Sequence, residues 1–194
     1  MAAPARRLRY SVAASLDGFI AGPRDEHDWI VMDPAIDFAA LFRQFDTVLM
    51  GRKSFEVALR QWGGGGTQSG MQTIVFSRTL RAADHPRVRI VAEGAADLVR
   101  ELKAQPGKDI WLMGGGELFR SLLDERLVDT VEVGLVPVLL GGGRPLLPAG
   151  LRGPRLRLTK SETLKTSGIV LLEYAIEYGS KAPARKPARA ARSR

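Results

Sequence analysis

The sequence predicts an α/β fold with a mixed, mostly parallel central sheet, flanked by helices and closed by antiparallel strands near the C-terminus. Two observations predict it. Short apolar runs alternate with helix-period segments over the first two thirds of the chain, and longer apolar runs follow one another without helices after Arg126. A length of 194 residues and a hydrophobic content of 45% suit one domain with a sizeable core.

The predicted strands of the first part are apolar runs too short for helices and bounded by turn or charged residues. They are Tyr10–Ala14, Thr47–Met50, Thr73–Phe76 and Ile110–Met113. Three longer strands are predicted to form an antiparallel group after them. These are Val128–Val138, Leu156–Thr163 and Ile169–Ile176, the last two joined by a hairpin at residues 166–168.

Helices are predicted where apolar residues recur with a spacing of three and four along the chain. Three such faces occur, formed by Phe38, Leu41, Phe42 and Phe45; by Leu98, Val99 and Leu102; and by Leu118, Leu122 and Leu123.

The net charge of +8 comes mostly from the end of the chain. Residues 1–178 are predicted to form the folded domain and residues 179–194 a disordered tail, because the tail has almost nothing apolar to bury. The tail carries six cations and no acid: Lys181, Arg185, Lys186, Arg189, Arg192 and Arg194. It would either keep the protein soluble or bind nucleic acid weakly and without sequence preference.

The chain contains no cysteine, which excludes disulfides, thiolate metal sites and a cysteine nucleophile. A cytoplasmic location is predicted, because nothing in the composition favours an oxidising compartment. No run approaches the roughly 18 apolar residues of a membrane span. The two histidines, His27 and His85, lack carboxylates at ligand spacing, so no metal site is expected.

A glycine triplet, Gly114–Gly116, lies between the apolar run Ile110–Met113 and a predicted helix. Backbone N–H groups and the positive end of a helix converge at such a turn, which favours an anion, although a plain tight turn is the alternative. The Rossmann glycine pattern fails, because Phe119 occupies the place of its third glycine. The triplet on its own is therefore a weak signal for a phosphate site and also fits a plain tight turn.

Two further strand ends offer donors for anions. Met50–Ser54 repeats the order of strand, glycine and helix start, and Ser77–Arg78 follows the predicted strand Thr73–Phe76. Open α/β sheets bind ligands at the carboxyl ends of their strands. A dinucleotide with several phosphates therefore fits the sequence better than one small anion.

Three segments, residues 13–22, 46–56 and 112–118, resemble the dihydrofolate-reductase-like superfamily. With Ser15–Gly18 and Leu140–Leu146, the chain resembles more closely the reductase domain of riboflavin biosynthesis, the C-terminal half of a bifunctional deaminase-reductase. The resemblance runs from about Leu8 to Ile176. The zinc-binding cysteines of the deaminase half have no counterpart here, so a stand-alone reductase is expected.

The resemblance implies NADPH as cofactor and assigns residues to it. The triplet Gly114, Gly115 and Gly116 would hold the pyrophosphate, often with a cis peptide between two of its glycines, while Glu117 and Leu118 open the helix. A second phosphate turn would comprise Gly51, Arg52, Lys53 and Ser54. The adenosine ribose would face Ser77 and Arg78, and the nicotinamide carboxamide would meet the backbone near Ala14, Ile20 and Ala21. Cations at Arg52, Arg78 and Arg81, with no acid in the stretch directly after Phe76, favour NADPH over NADH.

The same resemblance implies reduction of a small polar heterocycle, 5-amino-6-(5-phosphoribosylamino)uracil, with dihydrofolate as the alternative substrate. Arg24 and Arg144 are candidate partners for a substrate phosphate. Relatives are commonly dimers, so a homodimer is expected.

Three residues are candidates for the substrate side of the reaction. Asp17 could contact the substrate as a catalytic acid, although Asp-Gly is also ordinary turn chemistry. Asp37 lies where dihydrofolate reductases carry the carboxylate that binds the pterin, although an acid at a helix start is favourable without any catalytic role. Trp29 would either wall the substrate pocket or belong to the core.

Overall fold

A computed structural model of the chain describes residues 5–62, 65–68, 70–150 and 153–179. The predicted tail lies outside the described residues from residue 180 onward. None of the helices in the described ranges is long and apolar enough to cross a membrane.

The described part of the chain contains ten strands, four α-helices and one 3-10 helix, Ala82–Asp84. The strands are β1 (Leu8–Ser15), β2 (Phe19–Ala21), β3 (Phe45–Gly51), β4 (Gln72–Phe76), β5 (Arg89–Val91), β6 (Asp109–Gly114), β7 (Thr130–Val136), β8 (Arg144–Pro145), β9 (Arg155–Thr163) and β10 (Val170–Glu177). The helices are α1 (Phe38–Phe42), α2 (Arg52–Gln61), α3 (Ala95–Ala104) and α4 (Gly116–Asp124).

Eight strands form the central sheet in the order β5-β4-β3-β6-β1-β7-β10-β9. All neighbours from β5 to β7 are parallel, and β10 runs antiparallel to both β7 and β9. The predicted fold class is confirmed. The three strands predicted to form an antiparallel group do so, as β7, β10 and β9, but β7 also pairs in parallel with β1, because α4 returns the chain to the other end of the sheet.

Side chains alternate between two apolar layers along the central strands. Leu49 of β3 packs with α3 and α4 on one face, while Val48 and Met50 pack with α2 on the other. The same alternation along β4 and β6 explains why these runs are apolar throughout, since both sheet faces are covered. Helices α2 and α4 therefore lie on opposite faces of the sheet.

The first helix is shorter than its pattern predicts. Phe45 was assigned to its apolar face, but α1 ends at Phe42 and Phe45 begins β3. Phe45 is buried beside Trp111, with 6.1 Å between ring centroids, and the Arg9 guanidinium lies 4.6 Å from its ring centre. Burial in the sheet therefore outweighs the helical spacing.

The strands also differ from the prediction in one boundary and in three short additions. Strand β7 stops at Val136, because Val138 N–H donates to the Val136 carbonyl and turns the chain at Pro137. The short strands β2, β5 and β8 have two or three residues and too little sequence to show a period. The predicted hairpin between β9 and β10 is present, closed by a bond of 2.8 Å from Gly168 N to Leu164 O.

Candidate functional site

A cleft of about 360 Å³ opens at the carboxyl edge of the sheet, where β3 and β6 end side by side. Gly51 closes β3 and precedes α2, while Gly114 closes β6 and Gly115 precedes α4. From this point the chain continues from β3 outward to β4 and from β6 in the opposite direction to β7. Ligands of open α/β sheets bind at such a reversal of strand order.

Backbone donors converge on the cleft from both helices. Gly51 and Gly115 are the N-caps of α2 and α4, and neither helix start has a side-chain cap among the described residues. The first N–H groups of each helix are thus available to an anion, and the helix dipoles add positive potential. A Cβ on Gly51 would lie 3.7 Å from Gly115 N, so the two turns are in close proximity.

Each glycine of the triplet has its own surroundings. The peptide bond between Gly114 and Gly115 is cis, as the resemblance implied. Gly116 packs against the far wall of the cleft, where a Cβ would come within 2.9 Å of Pro145 O and 3.0 Å of Pro148 Cδ. The third glycine therefore serves close packing as well as access to the helix start.

Two cations face the cleft and share one carboxylate. Asp25 lies 2.6 Å from Arg144 Nε and 3.2 Å from Lys53 Nζ. The hydrogen bond from Arg144, with further contributions from Lys53, lowers the pKa of Asp25 to about 2. The carboxylate is therefore ionised throughout the physiological pH range.

The model for the RibD C-terminal domain matches residues 6–171. The chain belongs to the RibD C-terminal domain family. Two curated proteins of Bacillus subtilis strain 168 are similar to it. The uncharacterized protein YyaP is 34% identical over 183 residues, covering 87% of this chain and 94% of YyaP. The uncharacterized protein YwjB is 28% identical over 156 residues, covering 79% of this chain and 89% of YwjB.

Solved structures share the fold of this RibD C-terminal domain. A protein of Shewanella sp. PV-4 assigned to riboflavin biosynthesis superposes with a TM-score of 0.76 at 25% identity, covering 89% of this chain and 99% of that one. A diaminohydroxyphosphoribosylaminopyrimidine deaminase/5-amino-6-(5-phosphoribosylamino)uracil reductase of Thermotoga maritima superposes with a TM-score of 0.66 at 18% identity. The match covers 89% of this chain and 57% of the Thermotoga protein, so the latter likeness concerns the fold alone.

Nine residues that the resemblance assigned to the cofactor line this one cleft of the RibD C-terminal domain. They are Ile20, Ala21, Gly51, Lys53, Ser54, Gly115, Gly116, Glu117 and Leu118. Gly114 adjoins them in the cis peptide, and Ala14 is buried near the end of β1 at the same sheet edge. The structure thus brings together the two turns that were predicted to bind phosphate and the segment expected beside the nicotinamide.

Besides Ala14 and Gly114, three other assigned residues lie outside the lining of the cleft. Arg52 is exposed, with its Nε 3.6 Å from Oε1 of Glu56, which itself lines the cleft. Ser77 is buried, and its hydroxyl accepts from the backbone N–H groups of Thr79 and Leu80, at 3.2 and 3.1 Å. Arg78 is exposed beside it and has no ion-pair partner within the described ranges. Of Ser77 and Arg78, only Arg78 carries a side-chain charge, and that charge is unpaired within the described ranges.

Asp17 holds a loop together. Its carboxylate accepts from the Ser15 hydroxyl at 2.6 Å, from Gly141 N at 2.7 Å and from Leu140 N at 3.1 Å. The Ser15 hydrogen bond, followed by those from the backbone, lowers the pKa of Asp17. A carboxyl that stays ionised at neutral pH is a poor proton donor, so the geometry favours the turn role over general acid catalysis.

Asp17→Asn is expected to lower the thermal unfolding midpoint at neutral pH, because an amide nitrogen cannot accept the bonds that the second carboxylate oxygen receives. Since the pKa of Asp17 is lowered in the fold, its contribution is fully present above about pH 4 and is lost as pH falls through the lowered value. Circular dichroism melts should therefore show the difference between wild type and variant shrinking in acid. A pH-independent difference would argue against this role.

Asp37 lies away from the cleft. It is the N-cap of α1, where its Oδ1 accepts from Ala40 N at 2.8 Å, and it lines a separate cleft of about 440 Å³. That second cleft lies between α1 and the β7, β10 and β9 part of the sheet. The capping role predicted for an acid at a helix start is observed.

Trp29 packs in a small apolar cluster with Val136, Leu164 and Ile169. Its indole Nε1 donates to the Glu26 carbonyl at 3.1 Å, and it does not line the nucleotide-sized cleft. Of the two sequence-based alternatives, this contact set favours the core role.

Sequence reasoning missed the opposite wall of the cleft. That wall includes Asp25, His27, Gly143, Arg144, Pro145 and Pro148. Arg144 was a candidate partner for a substrate phosphate that the sequence could not place in the pocket, and Gly141–Gly143 was expected to form a turn that the resemblance places near the subunit contact or the rim of the active site. The segment Leu140–Leu146 was the sequence signal that could have identified this wall. The segment reaches the cleft only because β8 pairs with β2, and neither short strand reveals that pairing by itself. The described residues contain no group of three His, Asp or Glu side chains that could hold a metal ion.

Proposed function

We propose that this chain is an NADPH-dependent reductase that acts on a small polar heterocycle, with 5-amino-6-(5-phosphoribosylamino)uracil as the preferred substrate. The observation that carries the proposal is the pair of glycine turns, Gly51 and Gly114–Gly116, meeting on adjacent strands in one cleft. Membership of the RibD C-terminal domain family and likeness to the Shewanella protein assigned to riboflavin biosynthesis support a reductase-like role in that pathway.

The residues present suit a dinucleotide. The helix starts after Gly51 and Gly115 offer N–H groups to a diphosphate, and Lys53 adds a charge on the first turn of α2. Ile20 and Ala21 add apolar side chains and backbone groups to the lining of the cleft. When bound, reduced nicotinamide supplies the hydride; the protein's part is to orient the ring and exclude water.

A proton must also reach the substrate. Within the cleft lining, His27 and Glu117 are groups that can exchange one, whereas Asp17 and Asp37 lie outside it. Dihydrofolate remains the alternative substrate. Its expected carboxylate, Asp37, is engaged as a helix cap beside the other cleft, which favours the uracil derivative.

The direct test is titration of the purified full-length protein with NADPH by calorimetry, followed by turnover assays. The assays measure loss of reduced-nicotinamide absorbance with the phosphoribosylaminouracil and, separately, with dihydrofolate. Saturable NADPH binding and turnover of the uracil derivative are expected. Turnover of dihydrofolate alone would reverse the order of substrates, and no binding of NADPH would refute the proposal.

Arg78→Ala is expected to weaken NADPH binding about threefold to tenfold and to leave NADH binding unchanged. Arg78 is an exposed cation at the end of β4 without an ion-pair partner in the described ranges, so it can meet the ribose phosphate that NADH lacks. Calorimetry with both nucleotides measures the effect. Equal losses for NADPH and NADH would contradict this assignment.

The proposal includes a homodimer in the cytoplasm. Every residue of β9 is exposed, including Leu156 and Leu158 on one face, so the sheet ends in an uncovered strand that a second copy could pack against. Light scattering of the full-length protein measures the mass directly.

A further inference from the structure

We infer that Lys53 and Arg144 form a two-cation phosphate subsite, and that the Asp25 carboxylate occupies this subsite until a ligand phosphate displaces it. The inference rests on the proposed function, because it concerns the same cleft. The ligand class is a phosphate group, carried either by the nucleotide or by a phosphoribosyl substrate.

The two cations come from opposite walls and are held by rigid elements. Lys53 lies in the first turn of α2, directly after the Gly51 turn. Arg144 lies in β8, whose Pro145 pairs with Phe19 of β2. Neither cation has another ion-pair partner among the described residues. Their backbones are placed by α2 and by the β2–β8 pair, and Asp25 is the carboxylate that both side chains share.

The anion comes from a loop. Asp25 lies in the turn between β2 and α1, closed by bonds from Asp25 N to Gly22 O at 3.0 Å and from Gly22 N to Glu26 O at 2.9 Å. Its backbone has φ of 63°, a left-handed conformation that non-glycine residues adopt uncommonly. This conformation directs the carboxylate between Lys53 and Arg144.

The Asp25 carboxylate contacts Lys53 and Arg144 in the way that a phosphate group would. The two carboxylate oxygens of Asp25 are shared between Arg144 Nε and Lys53 Nζ, as two oxygens of a phosphate would be. One negative charge faces two positive charges, so the subsite keeps an excess of positive charge for a dianion. The three side chains are 38–53% exposed, which leaves the contact open to exchange with a solute.

Asp25→Asn is therefore expected to tighten binding of a phosphate-bearing ligand about threefold to tenfold, because the internal competitor loses its charge. Asp28→Asn is the matched control: it removes the same charge from the same loop, but Asp28 pairs with neither cation among the described residues. The control should change affinity less than about twofold.

Calorimetry measures the affinities of wild type, Asp25→Asn, Asp28→Asn and Arg144→Gln for NADPH, ribose 5-phosphate and ribose. A gain in Asp25→Asn for NADPH alone assigns the subsite to the nucleotide, and a gain for ribose 5-phosphate alone assigns it to the substrate phosphate. Ribose should gain nothing. In the Arg144→Gln background the gain should shrink, since one of the two cations is missing.

The inference fails if Asp25→Asn binds every phosphate probe no more tightly than Asp28→Asn while its thermal melt shows an intact fold. In that case Asp25 positions the cations without competing for them. This failure is distinct from failure of the proposed function, which is the absence of NADPH binding by the wild-type protein.

Discussion

Gly143→Ala is expected to lower the free energy of unfolding by about 2–4 kcal/mol and to open the far wall of the cleft. A Cβ at this position would lie 2.1 Å from the Ala21 carbonyl oxygen, and the backbone has φ of 140°, a conformation that L side chains rarely adopt. The neighbouring backbone cannot yield without separating β2 from β8. Denaturant unfolding measures the loss of stability, and titration with NADPH measures how far the opened wall weakens nucleotide affinity.

Gly142→Ala is the matched control for this change. Gly142 is the adjacent residue, and a Cβ there would meet no atom within 4 Å. We expect its unfolding free energy to stay within about 0.5 kcal/mol of wild type. Similar losses in both variants would mean that the loop as a whole, rather than the contact with Ala21, carries the effect.

Gly51→Ala is expected to weaken NADPH binding by about tenfold or more while the unfolding free energy changes by less than about 1 kcal/mol. The backbone of Gly51 is extended, with φ of −78°, and a Cβ would make ordinary contacts of 3.7 Å with Gly115 N and 3.9 Å with Gly114 O. The fold can therefore accept the methyl group. The methyl would nevertheless lie beside the N–H group that a diphosphate needs.

Gly153→Ala provides the comparison for Gly51→Ala. Its Cβ would also make only ordinary contacts, at 3.8 Å from Leu147 and 3.9 Å from Leu123, outside the cleft lining. Thermal melts should show similar stability for the two variants, whereas calorimetry should show weaker NADPH binding for Gly51→Ala than for Gly153→Ala. Unchanged affinity in Gly51→Ala would place the diphosphate elsewhere.

The sequence was sufficient to predict the near wall of the site. The apolar runs before Gly51 and Gly114 identify strands buried on both faces, and each is followed by glycine and a helix start. Because parallel strands end at the same sheet edge, these local patterns imply that the two turns lie near one another. Their adjacency on neighbouring strands, however, appears only with the sheet order.

The far wall depends on contacts that local patterns do not encode. Arg144 reaches the cleft because β8 pairs with β2, and Asp25 meets Lys53 across 28 residues of chain. Phe45 shows the same effect in the fold: its spacing suits a helix, but burial beside Trp111 places it in a strand. In each case a long-range contact decides between conformations that the local sequence permits.

The position of β1 has a consequence for synthesis on the ribosome. Strand β1 is made before the other strands of this sheet, yet its partners are β6 and β7, and Arg7 N, just before β1, donates to an Asp109 oxygen 102 residues further along. During synthesis, β1 therefore has no sheet partner until β6 and β7 have left the ribosome. Such long-range pairing favours slow folding, and the unpaired strand needs protection from aggregation. A fragment that ends before Thr130 would leave one side of β1 permanently open.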